Sequence, residues 1–161
     1  MRSDDLKIGM RGVTLVRPWP WTLSNGRIRV LGARRRPPKH LIGQVVAIHA
    51  GPEWDQDTNT ALREVCASPE LAGHHPYGIV ALAKIRGYAT WPGDPWIARA
   101  GQQAWFRPPV AWLFDEVVGI EPVGCSGARD PAFKGLWRVP DTVVELLRHR
   151  IKRDIVDWRG R

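Results

Sequence analysis

Residues 16–40 read VRPWPWTLSNGRIRVLGARRRPPKH. Two tryptophans stand among prolines, and five arginines and a lysine follow within one loop's length. A helix tolerates proline in its first turn, where the missing N–H costs nothing, so PWPWTLSNG predicts a short helix closed by Gly26. RIRV predicts a strand, and GARRRPPKH, with its glycine, like charges and two prolines, predicts an exposed loop. Two explanations fit this composition. The rings are core and the arginines a solvated face, or both converge on a cleft that holds a charged, planar ligand such as a nucleotide.

Working outward, GVTLV (12–16) and IGQVVAIHAG (42–51) are apolar, β-branched runs that predict strands, the second stopped by Gly51-Pro52. GIVALAKIRGYA (78–89) predicts another. QQAWF (102–106) and VAWLFDEVVGIEPV (110–123) predict strands split by Pro108-Pro109. Between them TWPGDPW (90–96) reads as a surface loop. Residues 55–68 offer capping groups and then Leu62, Val65 and Cys66 on one helical face. CSGARDPAFKG (125–135) reads as a loop and LWRVP leads to a last helix from Asp141, with Val143, Val144, Leu147 and Ile151 on its apolar face. Residues 1–11 are polar and mixed in charge, which predicts a loose arm. Strands this numerous predict an α+β fold, mainly β: one small barrel over 12–140 with helices at its rim, closed so that no edge is exposed, and a basic helix over 141–161.

The chain has 161 residues, enough for one domain with a real core. Lys and Arg total 24 against 16 Asp and Glu, a net charge of +8 that attracts polyanions. Nine tryptophans outnumber the five other aromatics, and tryptophan serves both cores and stacking platforms. Cys66 and Cys125 are too few for a disulfide framework, which predicts a reduced, cytoplasmic protein. The first residues lack the apolar stretch of a signal peptide, and no run approaches the roughly 20 apolar residues of a membrane span.

Taken together, RPWPW before a glycine, then IHAG, GIVALAKI, AWF, CSG and GLWRVP resemble the ASCH domain family in order and spacing over about residues 12–140. The resemblance implies a PUA-like fold, a small β-barrel with a cleft between barrel and helices, in a superfamily of RNA-binding and modified-base-reading modules. It also implies a site: Pro18, Trp19 and Trp21 at the cleft mouth, His49 at the end of the lining strand, and Gly135, Leu136, Trp137 and Arg138 in the closing strand. Some family members are similar to hydrolases of acetylated cytidine or to ribonucleases. The family's next motif, a lysine and then a Glu-Asn-Arg run, is not matched by RIRVLGARRR. Arginine cannot stand in for a lysine base, since its pKa stays above about 12.

Residue by residue, Trp19 and Trp21 point about 200 degrees apart on a helix, so one packs inward and one can stack on a base. Arg34, Arg35, Arg36 and Lys39, with Arg17, Arg27 and Arg29 upstream, supply phosphate contacts, because guanidinium forks fit phosphate oxygens in pairs. Trp91 and Trp96 are candidates to flank the same cleft. Histidines 49, 74 and 75 lack further ligands at defined spacing, so no metal and no cofactor is expected. The weak candidates for chemistry are Ser24 and Glu53. The resulting expectation is a nucleic-acid-binding module, a monomer or weak dimer, that takes single-stranded RNA or a modified nucleoside, with Arg138 and Trp137 also at the site. The alternative is a hydrolase acting in the same cleft.

Overall fold

The computed structural model describes residues 1–26, 28–54, 77–125 and 136–159. The helix expected over 55–68, most of the 125–135 loop, Arg27, Gly135, His74 and His75 lie outside them. Six strands form one sheet: β1 (Arg11–Arg17), β2 (Val30–Ala33), β3 (Val45–Trp54), β4 (Gly78–Ala89), β5 (Val110–Val123) and β6 (Leu136–Arg138). Their spatial order is β2-β5-β4-β3-β1-β6. All neighbours are antiparallel except β1 and β3. The helices are α1 (Trp19–Ser24), α2 (Pro95–Arg99) and α3 (Asp141–Arg159).

The α+β fold class and the PUA-like architecture hold, with the sheet curled into a half-barrel. Inside the curl, Val13 of β1, Leu31 of β2, Ile48 of β3, Ala81 of β4 and Phe114 of β5 pack with Leu23 of α1 in one core cluster. Outside it, Val45, Leu82 and Trp137 pack against Val144, Leu147 and Ile151 of α3. The apolar face read for this helix is therefore the buried one. Among the described residues, however, the sheet does not close fully: β2 and β6 are its edge strands. The reason is length. β6 pairs only with Arg11, Gly12 and Val13, so the second half of β1 has no partner on that side.

Several expectations are corrected by local chemistry. Residues 1–10 do not form a loose arm: Leu6 and Met10 are buried under α3, and Arg148 Nε donates to the Leu6 carbonyl at 2.7 Å. β2 runs later than RIRV, through Gly32 and Ala33, because these pair with Ala111 and Val110 of β5. β3 passes through Pro52 and ends at Trp54. Its pairing with β4 stops at Ala50, so the proline sits where no ladder N–H is needed. QQAWF is not a strand but a 3-10 turn at Gln103–Trp105, and the buried Gln102 accepts the Arg29 backbone N–H at 2.9 Å. α2 lies in what read as a loop. Asp94 caps it through the Trp96 N–H, Pro95 opens it, and Ile97 is fully buried.

The helix predicted around the tryptophans forms with Pro20 in its first turn and ends at Ser24, and Gly26 takes a φ of 68°. It docks on β5 at Gly119. A Cβ there would lie 2.4 Å from the Ser24 carbonyl oxygen. Gly119→Ala is expected to push α1 outward and destabilise the protein by about 1–3 kcal/mol in urea denaturation. Gly124→Ala, at a position with nothing within 4 Å, is expected to stay within about 0.5 kcal/mol.

Candidate functional site

β1 and β2 are not neighbours in the sheet, yet they face each other across its opening. Leu15 and Val16 of β1, Trp19 of α1, Leu31, Gly32 and Ala33 of β2, then Arg34, Arg107 and Pro108, line one cavity of about 410 Å³. An indole from the early helix and a guanidinium from the segment after it thus share one concave surface. Trp19 is half-buried, while Arg34 and Arg107 are exposed. The ring of Trp105 meets Trp19 edge-on at 6.4 Å between centroids, bracing it from the 3-10 turn.

Arg107 is placed by backbone chemistry. Its Nη1 donates to the carbonyls of Ala104 and Phe106, both at 2.9 Å, and its stem lies over Gly32, where a Cβ would come within 2.7 Å. The loop carrying Arg34, Arg35 and Arg36 is placed by Trp112 of β5, whose indole N–H donates to the Arg35 carbonyl at 2.7 Å. Pro37 is buried and Leu41 joins the inner core, so the loop is pinned on both sides. Arg36 lies over the ring of Tyr88, 4.6 Å from its centroid. Arg35 and Lys39 are exposed.

Other arginines are neutralised by acids. Arg86 pairs with Asp115, Arg138 with Asp141, Arg148 with Glu145 and Arg150 with Glu121. The C-terminal basic cluster therefore complements its own helix and the neighbouring β5. Among the described residues, Arg34, Arg36 and Arg107 pair with no carboxylate.

The remaining candidates lie elsewhere. Strand alternation sends Leu15 into the cavity and Thr14 to the opposite face. Thr14 Oγ1 lies 3.3 Å from His49 Nδ1 and accepts the Trp137 indole N–H at 3.0 Å. His49 is 5% and Trp137 3% exposed, so neither reaches the cavity. Arg138 pairs with Arg11 at the far end of β1. Four residues separate Arg11 from Leu15, about 13 Å along a strand. Arg17 is a buried strut that donates to the Pro52 carbonyl at 2.7 Å and lies over Tyr77. Arg29 serves the far end of β2, donating to the Asp115 carbonyl. Trp21 is half-buried outside the lining, and the Ser24 hydroxyl donates to the Trp21 carbonyl. Glu53 is exposed, beyond the part of β3 that pairs with β4. Trp96, in α2, lies under Arg86 on the other face of the sheet, and Trp91 is exposed and outside the lining. Trp105, Arg107, Trp112 and Tyr88 were not among the candidates. The only signal in sequence for Trp105, Arg107 and Trp112 is an aromatic and basic spacing, AWFRPPVAW, around the paired prolines.

Three solved structures share this arrangement of elements. The crystal structure of ASCH from Zymomonas mobilis matches with a TM-score of 0.53 at 13% identity, covering 86% of this chain and 93% of that one. The fold is that of an ASCH domain. A serine-to-alanine variant of the same protein matches at 0.52 and 14%, covering 86% and 94%, and a tyrosine-to-phenylalanine variant at 0.52 and 13%, covering 86% and 96%. No family model and no curated protein matches the chain. Within this ASCH fold, the opening of the half-barrel is where α1, β2 and the arginine loop meet.

Trp112 is the hinge of that meeting. Trp112→Phe keeps most of the buried ring and removes the donor to Arg35, so it is expected to lower stability by about 1 kcal/mol. Amide hydrogen exchange is expected to quicken at residues 34–36 and to stay unchanged in β3.

Proposed function

We propose that the protein binds single-stranded nucleic acid, RNA foremost, through the cavity between β1 and β2. One observation carries the reading: Trp19, Arg34 and Arg107 border the same 410 Å³ space. Arg34 and Arg107, with Arg35, Arg36 and Lys39 on the rim, draw in the phosphates. A base then enters against Trp19 and the apolar wall of Leu15, Val16 and Leu31. Unpaired bases suit such a cavity, since a duplex hides its base faces in the stack. Encounter with such a ligand needs no membrane, and among the described residues no helix is long and apolar enough to cross one.

The binding reading asks for a cationic rim and a flat apolar wall, both of which the lining supplies. Ser24 and Glu53, the groups considered for hydrolysis, are outside that lining. Turnover of acetylated cytidine or of RNA, followed by mass analysis of the products, would favour the hydrolase reading instead.

The direct test is titration of labelled single-stranded RNA at several salt concentrations. The Arg34→Ala/Arg107→Ala double variant is expected to bind more weakly, with the slope of log K against log salt shallower by about 0.7 for each phosphate no longer neutralised. Trp19→Ala is expected to cost roughly 1–3 kcal/mol and to leave the slope unchanged. Equal affinity and slope in wild type and double variant would remove the proposed site.

A further inference from the structure

The cavity holds Arg34 and leaves Arg36 outside it, yet Arg36 is not a loose surface charge. Its guanidinium lies over Tyr88 with 4.6 Å to the ring centroid, and among the described residues it pairs with no carboxylate. Tyr88 is 37% exposed, at the end of β4. The position of this pair follows from strand register. Leu31 of β2, a cavity residue, sits opposite Trp112 of β5, and Trp112 sits opposite Tyr88 of β4. The three residues form one row on one face of the sheet, two strand spacings or about 10 Å from end to end. Above the middle of this row, the Trp112 indole holds the Arg35 carbonyl, so the arginine on one side reaches the cavity and the arginine on the other reaches Tyr88.

We infer that Arg36 and Tyr88 form a second nucleotide position beside the cavity, in which a base stacks on the outer face of the guanidinium. This rests on the reading of the cavity as a nucleotide site. A planar cation already laid on an aromatic ring is a platform on which a base can stack. Its rotamer is fixed before the ligand arrives, which removes part of the ordering cost of binding. The ligand class is thereby narrowed to a single strand of at least two nucleotides, crossing the sheet from β2 towards β4, rather than a free mononucleotide.

The test uses calorimetric titration with adenosine 5′-monophosphate and with 5′-phosphorylated adenylates of two and four nucleotides. Wild type is expected to gain roughly tenfold in affinity from one nucleotide to two, the increment of one stacked base. Tyr88→Ala is expected to abolish that gain while binding the mononucleotide as wild type does, and Arg36→Lys is expected to abolish the gain. Arg36→Lys lies on an exposed loop, keeps the charge and loses the plane, so it separates stacking from attraction. Tyr88→Phe is expected to keep the gain. No gain in wild type, or the same gain in all variants, would overturn the second position. If the tetranucleotide binds and the Arg34→Ala/Arg107→Ala variant weakens it while these variants change nothing, only the second position falls. If no adenylate binds wild type at all, the cavity reading falls with it.

Discussion

The structure turns on a shortage of hydrogen-bonding edge. β1 has seven residues and β6 pairs with three of them, so the sheet curls round without meeting itself. An open pair of edges is a hazard in a small β domain, and such edges are commonly covered or made charged. Here α1 fills the inner side of the gap, its backbone set against Gly119, and the arginine-bearing loop stands at the end of β2. The cavity is what remains of the gap after this covering. Its residues therefore come from segments that share no backbone ladder.

Placement of charge follows from the same arrangement. Arg86 and Arg138 of the sheet and Arg148 and Arg150 of α3 find acids on a neighbouring strand, a turn or their own helix. The loop after β2 and the turn before β5 contain no acid, and their arginines are held by carbonyls, an aromatic ring and packing. Such contacts fix a guanidinium in place without cancelling its charge. Arg34, Arg35, Arg36, Lys39 and Arg107 thus form a run of positive charge where the half-barrel is open, the geometry that favours capture of a polyanion.

How far the sequence could be read depended on whether a local rule was opposed by a tertiary contact. β4, β5 and the apolar face of α3 follow their patterning, since the first six residues of β4, the first five of β5 and one face of α3 are buried as hydrophobic runs suggest. α2 was hidden by its brevity: five residues nucleate poorly alone, and the helix depends on the Asp94 cap and burial of Ile97. QQAWF failed for a different reason. Its alternation fits a strand, but the Gln102 side chain accepts the Arg29 amide and the segment winds into a 3-10 turn at Gln103–Trp105. His49 and Trp137 meet Thr14 on the face of β1 opposite Leu15, because the pleat sends adjacent residues of β1 to opposite faces.

Read alone, the chain determines that it makes an α+β domain built around strands, that a short helix carries Trp19 and Trp21, and that a proline-bounded loop carries clustered arginines. These are local matters of periodicity, proline geometry and charge. Which tryptophan and which arginine face each other was decided only by the curl of the sheet, the length of β6 and the single indole hydrogen bond from Trp112 to Arg35. Arg107 and Trp105 lie some seventy residues beyond Arg34 in the chain and come beside it only because β2 pairs with β5. Such proximity is set by long-range pairing, whose register depends on all the strands together.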